Sequence, residues 1–194
     1  MAMNKLPRSF YIRPTLTVAK NLLGKSLVRK THRTTLIGKI VEVEAYLGDQ
    51  DPASHAYRGK TKRNDVMFWE GGHLYVYFTY GMHYCANVVT GPPNVGHAVL
   101  LRALEPIDGM DFMKAQRGSQ IKDQQLTDGP AKLCEALAID ARDNGADLLG
   151  ETIFITEGEN IPRSQILSSS RIGITRAIAH RWRFYIRDNP WVSR

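Results

Sequence analysis

Cysteine is scarce in this chain: Cys85 and Cys134 stand alone among 194 residues, far apart and without Cys-x-x-Cys spacing. That argues against a disulfide framework or a thiolate zinc site, and their apolar surroundings make both read as buried, reduced thiols. Long apolar runs are missing too. Nothing approaches the ~18 residues of a membrane-spanning helix, and the opening Met1-Ala2-Met3-Asn4-Lys5-Leu6-Pro7-Arg8 lacks the apolar centre of a secretory leader. The expectation is a cytoplasmic protein with no membrane partner. His55 has no second histidine or cysteine at ligand spacing, so no metal is expected. No repeat, linker or low-complexity tract divides the chain, and residues 1–194 read as one domain long enough to bury its own core.

Acidic residues are also the minority, 19 against 26 Lys and Arg, for a net charge of +7. A basic excess points to a polyanionic partner, although a merely basic enzyme has the same balance. With 43% apolar and 23% charged residues, the composition is that of an ordinary globular protein.

The most informative stretch is Gly38-Lys39-Ile40-Val41-Glu42-Val43-Glu44-Ala45-Tyr46-Leu47-Gly48. Strand alternation puts Val41, Val43 and Ala45 on one face and Glu42, Glu44 and Tyr46 on the other. A β-branched face seats such a strand on a core, which leaves two carboxylates and a phenol on a rigid, half-buried platform suited to a general base. The alternative is a solvated face with two surface glutamates. Before this strand, residues 14–24 read as a short helix capped by threonine and ended by Gly24, and residues 25–28 and 34–47 as two strands joined by a basic tip.

After Gly48 a turn-rich loop carries His55 and then Lys60, Lys62 and Arg63, whose charges suit a phosphate backbone. A lone histidine there is also an ordinary loop anchor. Residues 71–89 read as a β-hairpin turning at Thr79-Tyr80-Gly81-Met82, with Tyr80 at the tip and Tyr75 and Tyr77 able to stack on a flat ligand; cross-strand packing is the rival role for these tyrosines. Residues 96–106 form a buried strand whose Arg102 demands an acceptor such as a carboxylate or an ordered water. Residues 108–117 and 128–138 read as helices, the second capped by Asp128, with Lys132 beside its first amides. Residues 152–156 form a strand, 162–170 show little pattern, and 171–175 and 181–187 alternate like strands.

The segments Val41-Glu42-Val43-Glu44-Ala45-Tyr46-Leu47-Gly48, Ser54-His55-Ala56, Leu74-Tyr75-Val76-Tyr77-Phe78-Thr79-Tyr80-Gly81-Met82, Leu100-Leu101-Arg102-Ala103-Leu104-Glu105-Pro106, Gly129-Pro130-Ala131-Lys132-Leu133-Cys134 and Arg183-Phe184-Tyr185-Ile186 occur in this order over nearly the whole chain. Together they closely resemble the alkyladenine (3-methyladenine) DNA glycosylase family. The resemblance implies an α+β fold, a single compact domain with a curved, mostly antiparallel sheet, peripheral helices and a protruding β-hairpin. It also implies base-excision repair: a damaged purine is flipped from duplex DNA and its N-glycosidic bond is hydrolysed. Residue by residue, it implies Glu44 as general base and Arg102 as holder of the attacking water. Tyr46, His55 and Tyr77 would be the walls around the base, and Asn87 a pocket residue that disfavours the guanine amino group. Tyr80 would be a minor-groove wedge, with Met82 in the same intercalating turn. Residues 68–71, 91–94 and 188–189 depart from the family pattern, which bears on loop contacts.

One carboxylate can accept the proton of the attacking water and face the positive charge that develops on the sugar. The implied enzyme is monofunctional, without lyase activity, metal or cofactor. It is expected to be a monomer whose partner is duplex DNA bearing alkylated or deaminated purines (3-methyladenine, 7-methylguanine, hypoxanthine, ethenoadenine), which would place it on the nucleoid in a prokaryote. Lys60, Lys62, Arg63 and Lys132 are the expected phosphate contacts. A binding protein for modified nucleic acid and a hydrolase of free nucleosides share parts of this pattern; the first has no need of Glu44, and the second none of Tyr80 or the basic loop.

Overall fold

The computed structural model describes residues 3–79 and 81–193. Its longest strand, β2 (Thr35–Leu47), follows two short helices, α1 (Arg8–Tyr11) and α2 (Thr15–Leu22), and strand β1 (Ser26–Lys30). After it come β3 (Leu74–Thr79), β4 (His83–Thr90), β5 (His97–Asp108), α3 (Met110–Arg117), α4 (Pro130–Ala136), β6 (Ile153–Thr156), β7 (Ile166–Ser169) and β8 (Arg183–Ile186). The strands form one open sheet in the order β3-β4-β5-β2-β1-β6, and β7 and β8 branch from β2. Each of these strand pairs is antiparallel, giving the expected α+β fold.

β5 runs along one edge of β2 from Ile37 to Leu47. Two shorter strands share the other edge: β1 pairs with residues 35–39, and β8 with Glu42, Val43 and Glu44. The chain from residue 183 onward is thereby laid against the carboxylates of β2.

Val18, Ala19 and Leu22 of α2 join Val41, Val43, Leu101 and Leu104 in the main core. Each fully buried aliphatic side chain contributes roughly 1.5–3 kcal/mol by leaving water. α2 ends as Leu23 turns extended, and Gly24 follows at φ +84°, where a Cβ would lie 2.3 Å from the Glu159 carbonyl oxygen, so only glycine passes. Gly118, at φ +116°, closes α3.

Several local expectations do not hold. The N-cap of α2 is Pro14; the hydroxyl of Thr15 instead bonds the buried Thr90 and His97. Asp128 does not cap α4, which starts after Gly129; its carboxylate takes the Lys132 ammonium at 2.7 Å. Residues 171–175 alternate in sequence but form no strand, and the alternation does not sort them by burial: Arg171 is buried in an ion pair while Ile172 is exposed. The patternless 162–170 stretch supplies β7, which β8 recruits by pairing. The β2 platform is not half-buried; Glu42 and Glu44 are both 0% exposed, which also removes the surface-glutamate reading.

Candidate active site

The site starts from a flaw in the β2–β5 ladder. Ile40 pairs with Leu104 and Glu42 with Ala103, so β2 gains one residue at Val41; Val43 then pairs with Leu101, so β5 gains one at Arg102. An unpaired residue in a ladder bends the strand and re-aims its side chain. Arg102 is thus aimed between the two glutamates, with Nε 2.8 Å from Glu42 Oε1 and Nη1 3.2 Å from Glu44 Oε1.

Burying carboxylates is costly unless each acceptor site is met. Glu42 meets four donors: Arg102 Nε at 2.8 Å, Arg183 Nε at 2.6 Å, Ser193 Oγ at 2.8 Å and the Ser193 amide at 2.7 Å. Glu44 meets two, the Ile172 amide at 2.8 Å and the Tyr46 hydroxyl at 2.7 Å, with Arg102 Nη1 beside it as an ion-pair partner. A carboxylate offers about four lone-pair sites. Three of the Glu42 donors crowd onto Oε1 and the Ser193 amide alone meets Oε2, whereas Glu44 Oε2 meets only the Tyr46 hydroxyl and keeps an open site beside it.

Tyr46 and Arg102 also line a cavity of about 380 Å³, which places Glu44 just behind the cavity wall. His55, Tyr75, Tyr77 and Asn87 complete its sides. Tyr75 and Tyr77 are stacked at 5.6 Å, and the His55 ring meets Tyr77 edge-on at 4.5 Å. His55 Nδ1 lies 3.2 Å from the Tyr75 hydroxyl, and Asn87 Nδ2 donates to the Tyr75 carbonyl at 3.1 Å. Burial dominates the proton affinities here. It raises Tyr46, where the Glu44 charge adds to it, raises Tyr77 far above the phenol range, and pushes Tyr75 up to about 12. Burial also lowers His55, with Arg63 contributing, and raises the Cys85 thiol. At neutral pH the aromatic and thiol walls are therefore uncharged. A flat apolar slot over a charged, hydrogen-bonded floor suits a planar heterocycle.

A larger cavity of about 930 Å³ lies on the other face of β2, between α2 and Phe184, the partner of Val43. None of the expected base-pocket or catalytic residues lines it. Size therefore does not mark the site; the convergence of Glu44, Arg102 and the aromatic walls does.

A family model for methylpurine-DNA glycosylase matches residues 9–190. The chain belongs to that family. Among its relatives in the methylpurine-DNA glycosylase family, a protein of Carboxydothermus hydrogenoformans named "Putative 3-methyladenine DNA glycosylase" is 54% identical over 97% of this chain and 98% of its own length. Proteins of the same name from Chlorobium phaeobacteroides and Methanoculleus marisnigri are each 50% identical, over 97% of this chain and 96% and 98% of their own lengths.

Of the residues singled out by the family resemblance, Glu44, Arg102, Tyr46, His55, Tyr77 and Asn87 converge on one cavity. Tyr80 lies outside the described residues. Met82, 70% exposed, and Phe78, 49% exposed, stand out at the end of the hairpin. The basic residues divide. Arg63 lines the cavity and donates to the Phe78 carbonyl at 3.2 Å, and Lys62 is exposed without an ion-pair partner among the described residues. Lys60 is paired with Asp65 at 2.8 Å, where the Trp69 indole also donates, and Lys132 with Asp128. Trp69 in the divergent 68–71 stretch thus braces the basic loop. Asn189, in another divergent pair, donates to Glu105 at 3.0 Å.

Sequence reasoning did not commit to Glu42, Arg183, Ser193, Asp51 or Arg171. Glu42 carried a signal, its place two residues from Glu44 on the same face. The others carried none, because each meets its partner across a long stretch of chain. Arg171 Nη2 bonds Asp51 Oδ1 at 2.7 Å, Nη1 bonds the Ala45 carbonyl at 2.9 Å, and the guanidinium covers the Tyr46 ring at 4.5 Å.

Proposed function

We propose that this member of the methylpurine-DNA glycosylase family releases alkylated or deaminated purines from duplex DNA by base flipping and a Glu44-activated water. The observation that carries the reading is the unequal filling of the two buried carboxylates at the wall of an uncharged aromatic cavity. Glu44 has an acceptor site left for a water proton on Oε2, beside the Tyr46 hydroxyl at the cavity wall. The flipped purine lies between Tyr77 and His55 on one side and Tyr46 on the other. Water attacks the anomeric carbon, its proton passes to Glu44, and the electron pair of the N-glycosidic bond leaves with the purine. Free base and an abasic site result. Arg102, fixed by Glu42, orients Glu44 and the water, and Asn87, held by the Tyr75 carbonyl, stands against the amino group of normal guanine.

Among the described residues no lysine lines the cavity. This supports direct hydrolysis without a Schiff base, and hence a monofunctional enzyme without lyase activity. One domain acting as a monomer suffices, since the proposed catalytic and pocket residues all come from this chain. Tyr80 is assigned as the wedge from its motif, and Met82 beside it stands free to enter the groove. Lys62 and Arg63 are assigned to phosphates.

The test is an abasic-site assay on short duplexes carrying hypoxanthine or 3-methyladenine, run beside free inosine. Strand cleavage after alkali, with inosine left intact, is the expected result. Hydrolysis of inosine alone would make the protein a nucleoside hydrolase, and lesion binding without base release would make it a binding module.

A further inference from the structure

We propose that the groove adjoining the base cavity carries the sugar-phosphate backbone of the damaged strand, with Arg58 and Arg176 as its phosphate contacts. The inference rests on the glycosylase reading above and adds the path of the strand to it. The groove, about 400 Å³, lies between the loop of residues 52–58 and the loop of residues 173–176. It shares Ala53, His55, Gly173 and Ile174 with the base cavity, so the two open from one wall. A nucleotide whose base enters the cavity keeps its two phosphates outside, and the backbone has to leave across that shared wall. A Cβ placed on Gly173 would meet nothing within 4 Å, so the rim is open there.

Charge selects the occupant. Arg58 and Arg176 line the groove and no carboxylate does. Both are exposed, and neither has an ion-pair partner among the described residues. The contrast is with Lys60 and Lys132, whose ammonium groups are already matched by Asp65 and Asp128; a phosphate approaching them also approaches the acid. A guanidinium fork fits two phosphate oxygens at once.

Both banks are set before any ligand arrives. Asp51, one residue before the first loop, and Arg171, two residues before the second, form an ion pair with both side chains fully buried. That pair ties one bank to the other, so the groove needs little ordering on binding, which saves conformational entropy.

The experiment measures duplex affinity against salt between roughly 50 and 200 mM. A Glu44→Gln background keeps a hypoxanthine duplex intact during titration. Each phosphate contact contributes about 0.9 to the slope of log K on log salt. Arg58→Ala and Arg176→Ala are each expected to flatten the slope by about 0.9 and together by about 1.8, twice that value. Lys60→Ala and Lys132→Ala should change it by less than half as much. Arg58→Lys and Arg176→Lys should restore most of the slope, since a lysine keeps the charge. An unchanged slope in the double alanine variant, or a larger change from Lys132→Ala, overturns the groove. Wild-type release of hypoxanthine alongside an unchanged slope would sink the strand path while sparing the glycosylase reading. Loss of both duplex binding and base release in the wild type would sink the two together.

Discussion

Glu42 and Glu44 differ by one residue pair on one strand face, and both are fully buried and both touch Arg102. They are nevertheless different chemical groups. At the Glu42 end of the strand, four donors from β5, β8 and Ser193 hold the carboxylate, and neither Arg183 nor Ser193 lines the cavity. At the Glu44 end, two hydrogen-bond donors and the Arg102 guanidinium hold the carboxylate, and Oε2 keeps an open site beside the Tyr46 hydroxyl at the cavity wall. A carboxylate tied to four donors away from the cavity wall is a structural group, whereas one with an open site beside a cavity can take a proton. The difference lies in what surrounds the strand, and five measurements can break or sharpen it.

The largest effect is expected from Glu44→Gln. The amide keeps the shape but cannot accept the water proton, so base release should fall by about 10²- to 10⁴-fold, equivalent to roughly 3–5.5 kcal/mol of barrier. Lesion-duplex affinity should stay within a few-fold, and near-normal single-turnover release would remove Glu44 as the base. Glu42→Ala should act first on stability. It strands two buried guanidinium groups, and breaking a buried pair costs about 3–5 kcal/mol. Urea melts would show this as a lower midpoint, and an unchanged midpoint would make Glu42 dispensable.

Tyr46→Phe removes one of the two hydrogen-bond donors on Glu44. A hydrogen bond to a charged group contributes roughly 1.5–3 kcal/mol, so release should slow by at least tenfold while the melting midpoint moves little. An equal loss of stability and rate would instead assign Tyr46 to packing. Ser193→Ala, at the Glu42 end, should cost only about 1 kcal/mol of stability. Its single-turnover rate should remain close to wild type, because Glu44 is untouched.

The smallest effect is a pH dependence on the cavity side. Burial lowers the proton affinity of His55 in the fold, as it does for His97. The unfolded chain therefore binds these protons more readily, and stability rises with pH in this range. The contribution is complete above the unfolded value of about 6.5 and is lost as pH falls below it. His55→Gln should flatten the acid side of a plot of Tm against pH and leave the His97 part; an unaltered curve would show that His55 keeps the proton affinity it has in the unfolded chain.

Much of this molecule was legible in its residues. The alternation from Val41 to Tyr46 put both glutamates on one face, the run of glycine and aromatic residues marked the hairpin, and six motifs in order identified the family. Where reading failed, the cause was long-range. Residues 171–175 alternate like a strand, but Arg171 is committed to Asp51. Asp128 looks like a cap, but Lys132 one turn later takes its charge. The 162–170 segment lacks a pattern of its own and becomes a strand because β8 offers it an edge.

By itself, then, the sequence determined the sheet-forming pattern, the excess positive charge and the set of side chains that gather around Glu44, because period-two alternation and composition are properties of neighbouring residues. Only the tertiary structure decided which glutamate has its open acceptor site beside the cavity, which basic residues stay uncompensated and where the two loops form a groove. Those outcomes depend on donors and counter-charges that arrive from residues 102, 172, 183 and 193, and burial makes each such partner count by several kcal/mol while leaving no local mark in the chain.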